Sequence, residues 1–191
     1  KYLAGIIDIF IKSGYRVEAY QTQSQKDAMA QVQKRGFEFD MIVCSGGDGT
    51  LNEVITGLMI SEWYVEKRVP IGYIPAGSTN DFAVSIGLPK NMLNAAVTAM
   101  NGKKRNLDVG TFNNMSFVYV AAFGAFTDVS YSTSQELKNI LGHKAYVLES
   151  IKEFVPTIQS TYHITAVANG KKLEGEFIYG MVSNSQSVGG F

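Results

Sequence analysis

The residues best suited to chemistry lie in one short run. "MIVCSGGDGTLNEVITGL", residues 41–58, passes from an apolar stretch into a helical pattern through Ser45, Gly46, Gly47, Asp48, Gly49 and Thr50. Glycines at such a junction let the backbone approach an anion without Cβ clashes, and the N–H groups that open a helix attract phosphate. Asp-Gly is also a hairpin dipeptide, but a hairpin would be followed by a strand of period two. Leu51, Val54, Ile55, Leu58 and Met59 instead recur at helical spacing, and Thr50 with Glu53 has the T-x-x-E form of a capping box. The run therefore reads as the carboxyl end of a strand leading into a helix N-terminus, where open α/β sheets bind ligands. Asp48 would repel bare phosphate, and neither G-x-G-x-x-G nor G-x-x-x-x-G-K-[ST] is matched. An acid there needs a metal, a basic partner or a hydrogen-bond network, a hint of metal–nucleotide chemistry unlike that of a P-loop.

A second stretch, "IPAGSTNDFAVSIGLP" at 74–89, repeats the arrangement of strand, glycine turn, Ser/Thr cap and helix. Two such loops on neighbouring crossovers can face one crevice. The elements that position them follow from the flanking pattern. "YLAGIIDIFIKSG" places Leu3, Ile6, Ile7, Phe10 and Ile11 on one helical face, ended by Gly14. "YRVEAYQ" (15–21) reads as a strand, and Ser24 with Asp27 as an S-x-x-D helix start. "FDMIVCS" (39–45) and "VPIGYIP" (69–75) read as strands, and Ser78 with Asp81 starts a further helix. This alternation predicts an α/β, Rossmann-like nucleotide-binding part over residues 1–106.

From Asn106 the pattern changes. Residues 107–126 read as two strands about Asn113–Asn114, 141–154 as a helix, and 161–184 as two strands joined at Asn169–Gly170. The second part, 107–191, is thus expected to be mostly antiparallel β.

Composition narrows the functional class. The chain has 191 residues, 46% apolar, with 17 basic and 17 acidic side chains, so no basic excess is present to neutralise nucleic-acid phosphates. The single cysteine, Cys44, lies within an apolar run and reads as a buried thiol in a reducing, cytoplasmic compartment. No apolar stretch has the length of a spanning helix, and no leader pattern occurs. The chain begins at Lys1 and finishes in an apparent loop, so both ends read as cut from a longer protein. His143 and His163 lack a metal-ligand partner at useful spacing and read as structural.

The two loops together carry a specific resemblance. "GGDGTLNEV" at 46–54 followed by "PAGSTNDFA" at 75–83 resembles the diacylglycerol kinase catalytic domain family of lipid kinases. The first motif also occurs in NAD kinases and 6-phosphofructokinases, whereas the second separates the lipid kinases from them. "LDVG" (107–110), "AAFGAFTDV" (121–129) and "LGHKAYVLESI" (141–151) extend the resemblance along the chain. The wording is most similar to soluble bacterial enzymes of Gram-positive type.

The resemblance implies an NAD kinase- and phosphofructokinase-like first domain that binds ATP. Thr22, Gly46, Gly47, Asp48, Gly49, Thr50, Leu51 and Asn52 would line the nucleotide, with Gly77, Ser78, Thr79 and Asn80 from the second loop. Asp48, Asp81 and Asp108 would organise Mg²⁺ indirectly, through water. The acceptor would be a lipid hydroxyl, most simply that of diacylglycerol, giving phosphatidic acid. No catalytic residue is assignable within the chain, because the family's acidic general base would follow Phe191, just as its first strand would precede Lys1. Peripheral contact with the inner membrane face, through turns such as 102–106 and 169–172, and a homodimer would fit the bacterial relatives. The competing expectations are a kinase for another lipid or for NAD, and a non-catalytic nucleotide- or lipid-binding regulator.

Overall fold

An unbroken apolar run needs cover on both faces; the strand before the second loop obtains it along most of its length, whereas Val43 of the strand before the first loop is exposed. The computed structural model describes residues 2–113, 115–124 and 161–184. Strand β1 (Ile42–Gly46) pairs in parallel with β2 (Ile71–Pro75), in a register from Ile42 opposite Ile71 to Gly46 opposite Pro75. Against one face pack α1 (Leu3–Lys12) and α6 (Met92–Asn101), where Ile6, Phe10, Ile74, Ala95 and Ala96 form a buried cluster. The other face carries α2 (Asp27–Arg35), α3 (Asp48–Met59) and α5 (Asp81–Ser85), with Ala28, Val32, Cys44, Leu51, Val54, Leu58, Tyr73 and Phe82 in a second cluster. The short α4 (Trp63–Glu66) precedes β2. This is the expected α/β layer, with helices covering both faces of a parallel pair.

Helix α3 is the central packing element. Leu51, Val54, Ile55 and Leu58 are buried as their spacing predicts, whereas Met59 is exposed. On α1 only Ile6 and Phe10 of the expected apolar face are buried, and Leu3 and Ile11 are exposed. Gly14, at φ +88°, ends that helix in the left-handed region as anticipated.

The segment 15–21 departs from expectation, because its described residues belong to no strand. Two cavities of about 610 and 220 Å³ separate it from β1, lined by Glu18, Ala19 and Tyr20 on one side and Met41, Val43 and Ser45 on the other. Among the described residues no strand pairs with it. It is anchored by side chains instead. Arg35 forks between Glu18 and Glu38, and the Tyr20 hydroxyl donates to both Asp27 carboxylate oxygens at 3.1 and 3.0 Å.

The chain divides into two compact units, Lys1–Tyr119 with Asn184–Phe191, and Val120–Ser183. In the first, β3 (Gly110–Phe112) and β4 (Met115–Phe117) form a hairpin turning at Asn113, which has φ +54°. Strand β4 packs on α3. The second unit contains two antiparallel pairs, β5 (Val120–Gly124) with β8 (Tyr179–Ser183) and β6 (Tyr162–Ala168) with β7 (Lys171–Phe177). Asn169 and Gly170 turn the β6–β7 hairpin at φ +49° and +76°, the left-handed pair that a type I′ turn requires. The expected helix at 141–154 and His143 lie outside the described residues.

Candidate functional site

Both glycine loops leave adjacent parallel strands at their carboxyl ends and abut each other. A Cβ added to Gly77 would lie 2.6 Å from the Gly47 Cα, so this closeness requires glycine. Asn80, at φ +56°, closes the second loop on itself: its amide accepts from the Gly77 N–H at 2.8 Å and donates to the Gly77 carbonyl at 2.7 Å. Ala76, Gly77, Ser78 and Thr79 are exposed.

Asp48 joins the two loops. Its carboxylate accepts from the backbone amides of Asp81 (3.1 Å) and Phe82 (3.4 Å), so the first loop caps the helix that follows the second. The sequence pattern assigns that cap to Ser78, but Ser78 makes no such bond, and α5 has no side-chain cap from its own N-cap residue. Burial raises the Asp48 carboxyl above its ordinary range, opposed by the two amide donors and assisted by the neighbouring Asp81 charge. The buried Tyr73 hydroxyl lies beside this carboxylate with no hydrogen bond of normal geometry, and burial and the Asp48 charge push the phenol up.

The capping box expected at Thr50–Glu53 is also replaced. Gly47 is the N-cap of α3, the first intrahelical bond runs from the Leu51 N–H to the Gly47 carbonyl, and no side chain caps the end. The amides of Asp48, Gly49 and Thr50 precede that bond and open the helix toward an anion. Glu53 accepts from the Lys26 N–H at 2.8 Å, drawing the loop that contains Thr22 against α3. The cap expected from Ser24 is likewise absent. Thr22 lines the 610 Å³ cavity with Ser45 and Thr50.

The remaining candidates divide. Leu51 is a core residue at 1% exposure, supporting the loop from beneath. Asn52 accepts from the Val118 N–H at 3.2 Å and so faces the 116–119 segment. Asp81 is 2% exposed and accepts from the Tyr119 hydroxyl at 2.6 Å. Asp108 is exposed, and its carbonyl accepts from the Asn184 side chain at 2.7 Å. The structure therefore brings Asp48 and Asp81 together. Among the described residues no group of three or more His, Cys, Asp or Glu side chains is placed to hold a metal ion. Both Asp48 oxygens and Asp81 Oδ2 accept from protein donors, which leaves each oxygen one further lone pair for a bound water or a metal.

Sequence reasoning missed Tyr73, Thr56 and Tyr119. Tyr73 sits in a strand signal that explains its burial but not its neighbour. No local signal marks Tyr119, whose partner lies 38 residues away. No helix of the described residues is long and apolar enough to cross a membrane.

Comparison with known proteins agrees with this geometry. The profile of the diacylglycerol kinase catalytic domain matches residues 1–112. The chain is 36% identical over 193 aligned positions to a diacylglycerol kinase of Bacillus subtilis (strain 168), covering all of this chain and 62% of the relative. It is 34% identical to a diacylglycerol kinase of Staphylococcus carnosus (strain TM300), covering 94% of this chain and 57% of that one. A crystal structure described as a diacylglycerol kinase from Bacillus anthracis superposes with a TM-score of 0.74 at 28% identity, over 98% of this chain and 60% of the other. The chain thus spans roughly three fifths of the length of these relatives. With two abutting phosphate-type loops on a parallel pair and this breadth of similarity, the chain belongs to the diacylglycerol kinase catalytic domain family.

Proposed function

We propose that the protein from which this chain comes transfers the γ-phosphoryl group of ATP to the hydroxyl of diacylglycerol, giving phosphatidic acid. The observation that carries this reading is the junction of the two loops, where Gly47 and Gly77 meet and Asp48 bridges to Asp81 and Phe82. The α3 amides and the exposed 76–79 loop would bind phosphate oxygens, with Thr22 and Thr50 beside the nucleotide. Loose phosphoryl-transfer transition states gain mainly from positioning and charge stabilisation, which preorganised amides supply. Asp48 would act by fixing the loops relative to each other. Mg²⁺ would neutralise phosphate charge when bound, arriving with ATP. Asp48, Asp81 and Asp108 would organise the ion indirectly, through water. The acid that activates the acceptor hydroxyl would lie beyond Phe191.

The same proposal includes residues 1–106 as the nucleotide domain, 107–191 as part of a second domain, a homodimer, and a cytoplasmic protein that meets the inner membrane face. Exposed Lys103 and Lys104 support an encounter with anionic headgroups. The test is a panel of acceptors offered to the full-length protein with γ-labelled ATP: diacylglycerol, sphingosine and NAD. Label in phosphatidic acid is the expected result. Transfer only to sphingosine or NAD would reassign the substrate, and ATP binding without transfer to any acceptor would favour a regulator.

A further inference from the structure

The segment 116–119 is fixed to the rear of the phosphate loops at several points. Thr56, buried on α3, donates to the Ser116 carbonyl at 3.3 Å and accepts from the Ser116 N–H at 3.1 Å. One turn earlier, Asn52 accepts from the Val118 N–H at 3.2 Å. The Tyr119 carbonyl accepts from the Asn184 N–H at 2.8 Å, and Asn184 also donates to the Asp108 carbonyl at 2.7 Å. A backbone held at these points gives the next side chain a defined direction. The Tyr119 hydroxyl reaches Asp81 Oδ2 at 2.6 Å, a short charge-assisted bond to a side chain that is almost wholly buried.

Asp81 is the residue on which the two loops converge. Its amide donates to Asp48, and it directly follows Asn80, which closes the second loop. Asp81 is thus held twice, at its amide by Asp48 and at its carboxylate by Tyr119. Releasing the carboxylate would leave the residue tied at its amide alone, free to shift and to loosen the Asp48 bridge.

We propose that Tyr119 is a positioning residue for phosphoryl transfer, holding Asp81 through its hydroxyl so that the two phosphate loops keep one relative geometry. The proposal rests on the reading of these loops as the nucleotide site. Tyr119 touches no reacting atom in this scheme and acts through Asp81 and Asp48. Its hydroxyl carries the positioning role.

The test is Tyr119→Phe in the full-length protein, which removes one oxygen and keeps the ring. In nucleotide-free protein, amide hydrogen exchange over 77–82 should rise about tenfold while α1 is unchanged. The kcat for diacylglycerol should fall roughly ten- to a hundredfold, the scale of a lost hydrogen bond to a charged group, with KM for the lipid within about twofold. In an Asp81→Asn background the same change should add less than about twofold, because residues acting through one another are not additive. Unchanged exchange at 77–82, loss of protection spread evenly over the chain, or a full kcat cost persisting in the Asp81→Asn background would each overturn the proposal. Should the wild-type protein transfer phosphate to no acceptor, the functional reading fails, and the exchange comparison alone decides on Tyr119.

Discussion

Asp48 Oδ2 lies 3.1 Å from the Asp81 backbone nitrogen, across 33 residues of sequence, so the acid in the first glycine loop serves as the N-terminal cap of the helix after the second. Replacing it tests whether the loops depend on each other. Asp48→Ala leaves two amide donors without their acceptor and should cost about 1–3 kcal/mol of stability. Asp48→Asn keeps one carbonyl oxygen and should cost about half as much. Urea denaturation of the three proteins checks the order.

Gly77→Ala should separate the loops. Its Cβ would meet the Gly47 Cα at 2.6 Å and Asn80 Oδ1 at 2.8 Å, and neither neighbour is the free end of a flexible side chain. The expected outcome is at least about tenfold weaker ATP binding with a stability loss of roughly 1–3 kcal/mol. Calorimetric titration beside thermal unfolding separates the two effects.

Thr56→Val should destabilise the docking of 116–119. The hydroxyl exchanges two hydrogen bonds with Ser116 in a buried setting, and valine would leave the Ser116 polar groups unpaired. A cost of about 1–3 kcal/mol is expected, with Thr56→Ser closer to wild type. Denaturant midpoints of the two variants give the comparison.

Cys44 gives a pH prediction. Burial pushes its thiol up to about 12 from an ordinary value of 9.0, so the folded thiol stays protonated where the unfolded one ionises. Its contribution is fully present below pH 9.0 and is lost as pH rises toward 12. Stability should fall by up to about 1.4 kcal/mol per pH unit in that window beyond the fall in Cys44→Ala. Unfolding midpoints of both proteins at pH 8, 9 and 10 measure the difference. Disulfide-exchange reagents should label Cys44 rapidly only after unfolding.

The parts legible in sequence are those whose cause is local. The spacing of Leu51, Val54, Ile55 and Leu58 marks α3, and Asn169–Gly170 marks the β6–β7 turn. Helix α6 carries a local signal as well, since Asn91 accepts from the Leu93 and Asn94 amides as its N-cap. What failed depends on neighbours distant in sequence. Ser24, Ser78 and the Thr50–Glu53 pair match capping patterns, yet Glu53 binds Lys26 and the α5 cap comes from Asp48. The 15–21 segment has strand composition, but a strand also needs a partner, and among the described residues none pairs with it. The loops were legible by their residues. Their mutual closeness, and the service of Tyr119 to Asp81, required the fold.

The central claim is that these loops bind ATP phosphates for transfer to a lipid, with Asp48 fixing their geometry. The most direct measurement is label transfer from γ-labelled ATP to diacylglycerol by the full-length protein, wild type beside Asp48→Asn, with both checked for folding by circular dichroism. The expected result is labelled phosphatidic acid from the wild type and turnover reduced at least about a hundredfold in the folded variant. Equal turnover by the two proteins, or none by the wild type, would contradict it.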